Sequence, residues 1–484
     1  MSENQREVDV AVIGAGTAGL VAHRQALANG AQRVVLIEGG PYGTTCARVG
    51  CMPSKLLIAA AEAAEQVRAA KQFGVEPGSL EIDGAAVMAR VQRERDRFVS
   101  FVVDSTEDLD PTQRLRGWAR FVEPTTLEVT TQDDRAVRVV AKAVVIATGT
   151  APWVPPSLRE LGDRLLTSDS VFELPTLPKS LAVVGAGVIG LELGQAMHRL
   201  GVETSVFDLD ARMPLVSSAV MQDLARELFA ARMDLRLRVS NLQAQRRDDG
   251  VLLSWTDPDG RAREAAFEYV LAATGRRPQL ARLDLQNAGI ELDERGAPKY
   301  WDERTTQVGD APIFMAGDII GGRPLLHEAA AEGRIAGINA GRYPEVRAHV
   351  RQVPLGIMFS DPNVAIVGEI PKPEGEGCEW EVGEVDYTNQ GRARVIGEGH
   401  GRVRIYARRR CGTLIGAEMI GPRVEHMAHL LAWSIEQGMT AKRAREMPFY
   451  HPTVEEGLRT AIHDLARKLK MVGKLGPLDC GPGT

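Results

Sequence analysis

The 484-residue sequence lacks any apolar run near the roughly 20 residues that a membrane-spanning helix needs, and its start, MSENQREVDV, contains no apolar signal core. It also lacks a basic excess, because 58 Lys and Arg stand against 64 Asp and Glu, a net charge of −6. Surfaces that bind nucleic acid or anionic membrane are usually strongly basic. We therefore expect a cytoplasmic protein with neither a membrane nor a nucleic-acid partner.

Cysteine is scarce, and the five in the chain do not suggest a framework of structural disulfides. Cys378, Cys411 and Cys480 are scattered, whereas Cys46 and Cys51 are separated by only four residues. A close pair in a reducing compartment is typical of redox or metal chemistry. The metal interpretation is weak, because no second Cys/His pair stands at a zinc-like spacing, and we expect no metal site.

An internal duplication is the most informative feature of the chain, whose length predicts about three domains. Residues 8–13 form an apolar run that leads into residues 14–19, GAGTAG. Residues 181–184 lead in the same way into residues 185–190, GAGVIG. Each turn is followed by a helical stretch and then by a second apolar run that ends in an acid. The pattern predicts two units that each begin strand, glycine-rich turn, helix, strand.

The glycine spacing and the acid together form the fingerprint of a dinucleotide site. The first glycine makes the tight turn, the second lets the backbone approach a pyrophosphate, and the third packs helix on strand. The helix N-terminus faces the phosphates, and the acid binds ribose hydroxyls. Two such units predict two dinucleotides, most economically a bound FAD and a visiting nicotinamide nucleotide. The residues concerned are Gly14, Gly16, Gly19 and Glu38 in the first unit and Gly185, Gly187, Gly190 and Asp208 in the second.

The acid of the second unit favours NAD over NADP. A carboxylate at this strand end binds a free 2′-hydroxyl and repels a 2′-phosphate, whereas NADP sites place an arginine nearby. Asp208 is followed by Leu209 and Asp210. Arg212 is the nearest cation in sequence, and we interpret it as a surface residue.

The thiol pair stands at the start of a predicted helix. Pro53 suits a first helical turn, and the run LLIAAAEAAEQ follows it. Cys51 is therefore predicted at the helix N-terminus, where backbone N–H groups and the dipole stabilise a thiolate. Lys55 lies four residues on, shares the helix face with Cys51 and adds a positive charge. Two reduced core cysteines that never form a bond are the alternative interpretation.

The segment YGTTCARVGCMPSK resembles the active-site segment of the class I pyridine nucleotide–disulfide oxidoreductases, and of their dihydrolipoamide dehydrogenases in particular. The resemblance runs from about residue 7 to about residue 465, with VVIATG, AATGRRP, IFMAGD and HPTVEE among its motifs. It implies an α/β fold with two Rossmann-like FAD/NAD(P)-binding domains and a C-terminal α+β dimerisation domain. The expected division is an FAD-binding domain (1–150 and, after a return, 279–348), an NAD-binding domain (151–278), an interface domain (349–472) and a flexible tail (473–484).

The resemblance also implies roles for single residues. Glu38 would bind the ribose of the FAD adenosine, Lys55 would lie beside the isoalloxazine ring, and Glu192 would be the partner of Lys55. Gly275 is expected near NAD. The further residues expected at FAD are Gly117, Thr148, Gly149, Asp318, Leu325, Leu326 and His327.

His451, in HPTVEE, is the candidate base. Without the resemblance, a histidine before a proline is as readily interpreted as a structural residue at a helix start. Thiol exchange needs a proton acceptor near neutral pH, which histidine supplies. The resemblance implies that His451 has this role, that Glu456 holds its other ring nitrogen, and that both reach the thiols of the neighbouring subunit. A homodimer would then be required for activity.

The predicted reaction is oxidation of dihydrolipoamide by NAD through a Cys46–Cys51 disulfide, with the substrate free or carried on a lipoyl domain. Cys46 would exchange with the substrate, and Cys51 would face the flavin. Two departures from the family pattern concern the substrate: Ala47-Arg48 replaces the common Leu-Asn, and Phe449-Tyr450 replaces the usual His-Ala. The alternatives are an NAD(P)H-dependent reductase of another disulfide, as in glutathione reductases, and a non-catalytic flavoprotein sensor.

Overall fold

The computed structural model describes residues 5–372 and 379–471, so Cys378, Cys480 and the expected tail lie outside the described residues. The chain divides into two compact units. The first contains residues up to 56, 90–153 and 275–351, and the second contains 57–89, 154–274 and the chain from 352 onward. The breaks near 153, 274 and 351 lie close to three of the expected boundaries, while the finer division into domains stays a prediction.

Strands and helices are numbered in chain order. The strands are β1 (Gln5–Ile13), β2 (Val34–Glu38), β3 (Arg114–Glu123), β4 (Thr126–Thr131), β5 (Ala136–Ile146), β6 (Thr150–Pro152), β7 (Leu165–Thr167), β8 (Ser180–Val184), β9 (Glu203–Phe207), β10 (Asp234–Arg236), β11 (Ser240–Arg247), β12 (Gly250–Thr256), β13 (Ala262–Phe267), β14 (Tyr269–Ala272), β15 (Arg276–Pro278), β16 (Ile313–Met315), β17 (Leu355–Met358), β18 (Asn363–Gly368), β19 (Trp380–Asp386), β20 (Arg402–Arg408) and β21 (Leu414–Gly421). The α-helices are α1 (Thr17–Ala28), α2 (Thr45–Val49), α3 (Cys51–Ala69), α4 (Gly84–Glu107), α5 (Val188–Arg199), α6 (Ala219–Ala230), α7 (Leu326–Arg342), α8 (Gly391–Val395), α9 (Val424–Glu436), α10 (Ala441–Arg445) and α11 (Glu456–Lys468). Among the described residues, no helix is both long and apolar enough to cross a membrane.

The first unit is built on a parallel sheet in the order β3-β2-β1-β5-β16. Its central strands are apolar on both faces, as in β2 (VVLIE), because each face is covered. On one face, α1 and α7 pack against the sheet. Strand β4 pairs antiparallel with β3 and β5 and adds a meander beside the other face. The turn after β1 is thereby placed at the carboxyl edge of the sheet, where ligands bind in such folds.

Helices α1 and α7 approach so closely that glycine is required at their contact. Glycines at every fourth position of α7 lie against alanines at every fourth position of α1. A Cβ added at Gly337 would lie 2.4 Å from the Ala22 carbonyl oxygen. The pairs are Gly333 with Ala18, Gly337 with Ala22, and Gly341 with Ala26.

The second unit contains two sheets of different kinds. One is parallel, in the order β10-β9-β8-β14-β7, and carries an antiparallel meander of β11, β12 and β13. The other is antiparallel, in the order β17-β18-β21-β20-β19, and packs its apolar face against α9 and α11. Helix α11 lies directly on β19, because Gly383 leaves room for the Ala461 carbonyl. These are the parallel and the mixed α+β parts that the fold class predicted.

Two of the motifs named above begin in a strand and end in a turn. Strands β5 and β14 stop at Ile146 and Ala272, before the Thr-Gly of VVIATG and AATGRRP, and the glycines of the two motifs, Gly149 and Gly275, have positive φ, +64° and +105°. Helix α11 begins at Glu456, inside the motif HPTVEE. Just before it, the Thr453 N–H donates to the Glu456 carboxylate, an arrangement like that of a capping box.

Replacing Gly337 with Ala should destabilise the first unit by about 2–3 kcal/mol, because a methyl group cannot fit against backbone and overpacking forces the helices apart. The check is thermal and urea denaturation of the protein. Gly391→Ala is the matched control, since a Cβ there meets no atom within 4 Å. Equal stability of the two variants would contradict the close helix contact.

Candidate active site

The first glycine-rich turn joins β1 to α1 and leaves one glycine open. Gly14 has φ +107°, and a Cβ there would lie 2.3 Å from the Ala147 carbonyl oxygen. A Cβ at Gly19 would lie 1.8 Å from the Gly14 oxygen, so this glycine packs helix on strand. A Cβ added at Gly16 would have no atom within 4 Å, so this glycine faces open space. Since no side chain caps the start of α1, its N–H groups at this open position fit a pyrophosphate.

Glu38 is held beside this turn. Its Oε2 accepts from the Ala15 N–H at 2.8 Å, and its Oε1 accepts from the Gly40 N–H at 2.7 Å. A carboxylate oxygen can accept more than one hydrogen bond, so both remain able to accept a ribose hydroxyl. The position and the donor set fit the adenosine end of a dinucleotide.

The second turn, between β8 and α5, repeats this geometry. A Cβ at Gly185 would lie 2.4 Å from the Ala273 oxygen, and one at Gly190 would lie 1.8 Å from the Gly185 oxygen. Gly187 again faces open space, and no side chain caps α5. The Asp208 carboxylate accepts from the Ala186 N–H at 2.6 Å, as Glu38 does from Ala15. This site therefore also fits a dinucleotide.

A pocket of about 460 Å³ opens at the second turn. Gly187 and Asp208 line it together with the loop that follows β9. Arg212 is exposed, as predicted, but it also lines this pocket. Asp208 is nevertheless the acid joined directly to the turn, so the geometry retains the feature that favours NAD.

Asp318 lies in the turn shortly after β16, with partners that the sequence did not indicate. Burial raises the pKa of its carboxyl, and the Arg276 guanidinium and the Thr150 hydroxyl oppose that shift. Arg276 is itself fixed by hydrogen bonds to the hydroxyl and carbonyl of Thr150, both 2.9 Å. The signal that could have indicated Arg276 is its position directly after the Thr-Gly that follows a strand, in AATGRRP.

The other residues expected at FAD differ from one another in their contacts and in their exposure. Thr148 donates its hydroxyl to the Gln279 carbonyl at 2.8 Å. At Gly117 a Cβ would lie 2.5 Å from the Thr130 oxygen, so pairing with β4 already requires glycine there. Leu325 precedes α7, and Leu326 and His327 are exposed in its first turn. Their contacts with FAD stay predictions.

The two thiols are adjacent. Cys46 lies in α2, and Cys51 is the first residue of α3, as predicted. A side-chain hydrogen bond with Cys51 is the largest cause of a raised pKa at the Cys46 thiol, burial adds to the shift, and the Lys55 charge opposes it. Gly50 permits the approach, since a Cβ there would come within 3.2 Å of the Cys46 Cα. The pair is therefore placed for a bond to form between its sulfurs.

His451 and Glu456 form the predicted pair. The His451 Nδ1 lies 3.0 Å from both Glu456 carboxylate oxygens. Because a carboxylate only accepts, Nδ1 donates, and Nε2 of the neutral ring is left with its lone pair. The Glu456 side chain is only 6% exposed and that of His451 is 64% exposed, so a buried acid orients an accessible base.

Two buried side chains of the antiparallel domain hold the loop that carries His451. The Tyr387 hydroxyl donates to the Val454 carbonyl at 2.9 Å, and the Gln390 amide donates to the Thr453 carbonyl at 2.7 Å. Gly457 leaves the space that the Tyr387 ring fills. The sequence carried no signal for these contacts, because they join residues more than 60 positions apart.

Glu192 is buried in α5, and its Oε1 accepts from the Phe359 N–H at 2.8 Å. It thus fixes the segment between β17 and β18, a role that the sequence did not predict. Lys55 belongs to the first compact unit and Glu192 to the second, and the pairing of the two stays a prediction.

Comparisons with known proteins cover nearly the whole chain. Residues 8–333 match the pyridine nucleotide-disulphide oxidoreductase family, and residues 355–462 match the dimerisation domain of that family. Dihydrolipoyl dehydrogenase of Geobacillus stearothermophilus is 31% identical over 95% of this chain and 98% of that protein. Dihydrolipoyl dehydrogenase 3 of Pseudomonas aeruginosa is 32% identical over 94% of this chain and 97% of that protein.

Solved structures resemble the chain over the same extent. LpdA from Mycobacterium tuberculosis matches with a TM-score of 0.80 at 26% identity, over 94% of this chain and 99% of that one. The HOCl-induced flavoprotein disulfide reductase RclA from Escherichia coli matches with a TM-score of 0.77 at 21% identity, over 94% of this chain and 99% of that one. The second likeness concerns the fold alone.

Gly16→Ala and Gly187→Ala should each weaken one of the two nucleotide sites and leave the other unchanged. Neither added methyl meets protein atoms within 4 Å, so both variants should fold. Gly16→Ala should weaken flavin binding about tenfold or more, because the methyl group occupies space next to the helix N-terminus. Gly187→Ala should keep its flavin and weaken NADH binding by a similar factor. The flavin content of the purified variants and calorimetric titration with NADH check the two expectations. Wild-type affinity for flavin in Gly16→Ala and for NADH in Gly187→Ala would contradict the site assignments.

Proposed function

Since the chain belongs to the pyridine nucleotide-disulphide oxidoreductase family, we propose that it oxidises dihydrolipoamide to lipoamide with NAD. It is a flavoprotein disulfide oxidoreductase that uses FAD and NAD, and its dimerisation domain makes it a homodimer. The observation that carries the proposed dithiol chemistry is that Cys46, in α2, lies next to Cys51, the first residue of α3. The names of the relatives point to a dihydrolipoyl substrate.

In the proposed FAD site, the pyrophosphate faces Gly16 and the start of α1, and the adenosine ribose faces Glu38. When bound, FAD supplies the two-electron transfer between the dithiol and NAD. The further residues proposed at FAD are Gly14, Gly19, Lys55, Gly117, Thr148, Gly149, Asp318, Leu325, Leu326 and His327. The residues proposed at NAD are Gly185, Gly187, Gly190, Asp208 and Gly275.

The protein's own part in the reaction is thiol exchange. His451 accepts the proton of a substrate thiol at Nε2, while Glu456 holds Nδ1–H and stabilises the charge that forms. The substrate thiolate attacks Cys46 in the Cys46–Cys51 disulfide, and Cys51 leaves as a thiolate near Lys55 and the helix N-terminus. The second substrate thiol then displaces Cys46, which releases the cyclic disulfide and leaves two protein thiols. A substrate dithiol is oxidised and the protein disulfide is reduced.

We propose that His451 and Glu456 serve the thiols of the neighbouring subunit. The accessible His451 and the neighbouring Tyr450, 82% exposed, support this, because a second copy would cover them. The Phe449-Tyr450 pair would then border the path of the substrate. A lipoyl domain is the proposed donor of the dithiol, and the cytoplasm is the proposed location, where reduced thiols persist.

Cys51→Ser should abolish dihydrolipoamide turnover with NAD, by at least about 10³-fold, because no internal disulfide can form. Flavin content should be unchanged. Cys411→Ser, which alters an exposed cysteine elsewhere, is the control and should retain full turnover. The measurement is steady-state NADH formation, repeated in reverse with lipoamide and with glutathione disulfide. Preference of the wild type for glutathione disulfide and NADPH would overturn the substrate proposal.

Mixed dimers test the shared site. Cys51→Ser and His451→Gln should each be inactive as homodimers, yet an equimolar mixture reassembled from subunits should regain about a quarter of wild-type activity. Half of the dimers are then mixed, and each has one site with an intact Cys51 and an intact partner His451. If His451 served its own subunit, every active site would contain one of the two substitutions and no activity would return.

A further inference from the structure

The loop that follows β9 forms one wall of the pocket at the second glycine-rich turn. Asp208 directly follows the strand, and residues 209–218 then lead to α6. The wall consists of Asp210, Arg212, Met213, Pro214, Leu215, Val216 and Ser217. The position of this loop therefore sets the shape of the pocket.

A fully buried acid of the antiparallel domain holds this loop. Glu418, on β21, is 0% exposed, and its Oε2 accepts from the N–H groups of Ser217 at 2.8 Å and Ser218 at 3.2 Å. No side chain within the loop caps the start of α6. Glu418 supplies an acceptor there, from a residue some 200 positions away in sequence. Hydrogen bonds to a buried carboxylate are strong, because both the charge and the low local dielectric favour them.

The other carboxylate oxygen of Glu418 is used as well. Its Oε1 accepts from the Tyr406 hydroxyl at 2.6 Å and lies 3.4 Å from Nη1 of Arg404. Arg404 reaches a second acid on its other side, with Nε 3.3 Å from Glu384. Glu384 is 40% exposed. The arginine therefore compensates the buried charge while one oxygen of Glu418 serves the loop.

A second contact joins the same sheet to the same loop. The Leu215 side chain lies over Gly356 of β17, where an added Cβ would come within 3.1 Å of Leu215 Cδ2. Ile366 of β18 lies beside it and also lines the pocket. On the loop's other side, the Gln222 amide donates to the carbonyls of Met213 and Val216 at 2.9 and 2.7 Å.

We propose that Glu418 is a positioning residue for NAD: through Ser217 and Ser218 it holds the wall of the nucleotide pocket in its binding shape. This inference rests on the NAD site proposed above. Glu418 thereby contributes to nucleotide affinity although it does not itself line the pocket. Loss of the contact costs binding, because the loop must then be ordered when NAD arrives.

Glu418→Gln in the flavin-loaded protein is the test. An amide has one acceptor oxygen in place of two, and Arg404 can only donate. With the amide oxygen toward Arg404, the NH₂ group faces the N–H groups of Ser217 and Ser218, and the loop loses its acceptor. We expect the Kd for NAD⁺, measured by calorimetry, and the KM for NAD⁺ to rise about tenfold. At saturating NAD⁺, kcat should stay within about twofold, because the thiols, His451 and the flavin site are unchanged.

Glu384→Gln is the matched control. It removes the other acid beside Arg404 but no contact with the loop, and it should leave the Kd for NAD⁺ within about twofold. Gly356→Ala is a second variant in case Glu418→Gln does not fold. Its methyl group would push the Leu215 side chain away from β17, so the Kd for NAD⁺ should rise while the flavin content stays unchanged.

Wild-type affinity for NAD⁺ in folded Glu418→Gln and Gly356→Ala, or an equal loss in Glu384→Gln, would overturn the proposal. The calorimetry needs no dithiol, so its result is independent of whether lipoamide is the substrate. If the wild type itself did not bind NAD⁺, the nucleotide site proposed above would fail, and that failure would be visible before any variant was made.

Discussion

The whole arrangement depends on an approach of backbone to backbone that only glycine permits. In both glycine-rich turns a Cβ would lie 1.8 Å from a carbonyl oxygen, at Gly19 and at Gly190. This contact sets a helix directly at the end of a buried parallel strand, with its first N–H groups uncapped and facing open space. The acid at the end of the next strand then bonds to the turn itself. Two dinucleotide sites follow from one local geometry used twice.

The redox pair uses a helix N-terminus for a different purpose. Cys51 begins α3, so the backbone dipole and Lys55 favour a thiolate at the place where a leaving thiolate is needed. At Cys46 the pKa is raised, because its thiol donates a hydrogen bond to Cys51 and is partly buried. Two thiols in such different surroundings suit a cycle in which one exchanges with substrate and the other passes electrons on.

Loops that carry function in the second unit are held by buried polar side chains from other segments. Gln390 and Tyr387 hold the loop of His451, and Glu418 holds the loop at the nucleotide pocket. Loops are otherwise the mobile parts of a fold, and a fixed geometry there needs partners for their backbone groups. The antiparallel domain provides such partners for both loops, in addition to its part in dimerisation.

The sequence by itself determined both glycine turns with their acids and the placement of Cys51 at a helix start, because each depends on neighbours within about 25 residues. It also determined the family, because motifs of this kind follow one another along nearly the whole chain. The pairing of His451 with Glu456 was equally local, although its role came from the resemblance. Only the tertiary structure decided that Arg276 lies by Asp318, that Glu192 bonds to Phe359, and that Glu418 reaches Ser217. Those contacts join distant segments, and no local spacing encodes which buried acid meets which backbone N–H. They are decided by how strands and helices pack, and packing satisfies buried polar groups wherever a partner comes within reach.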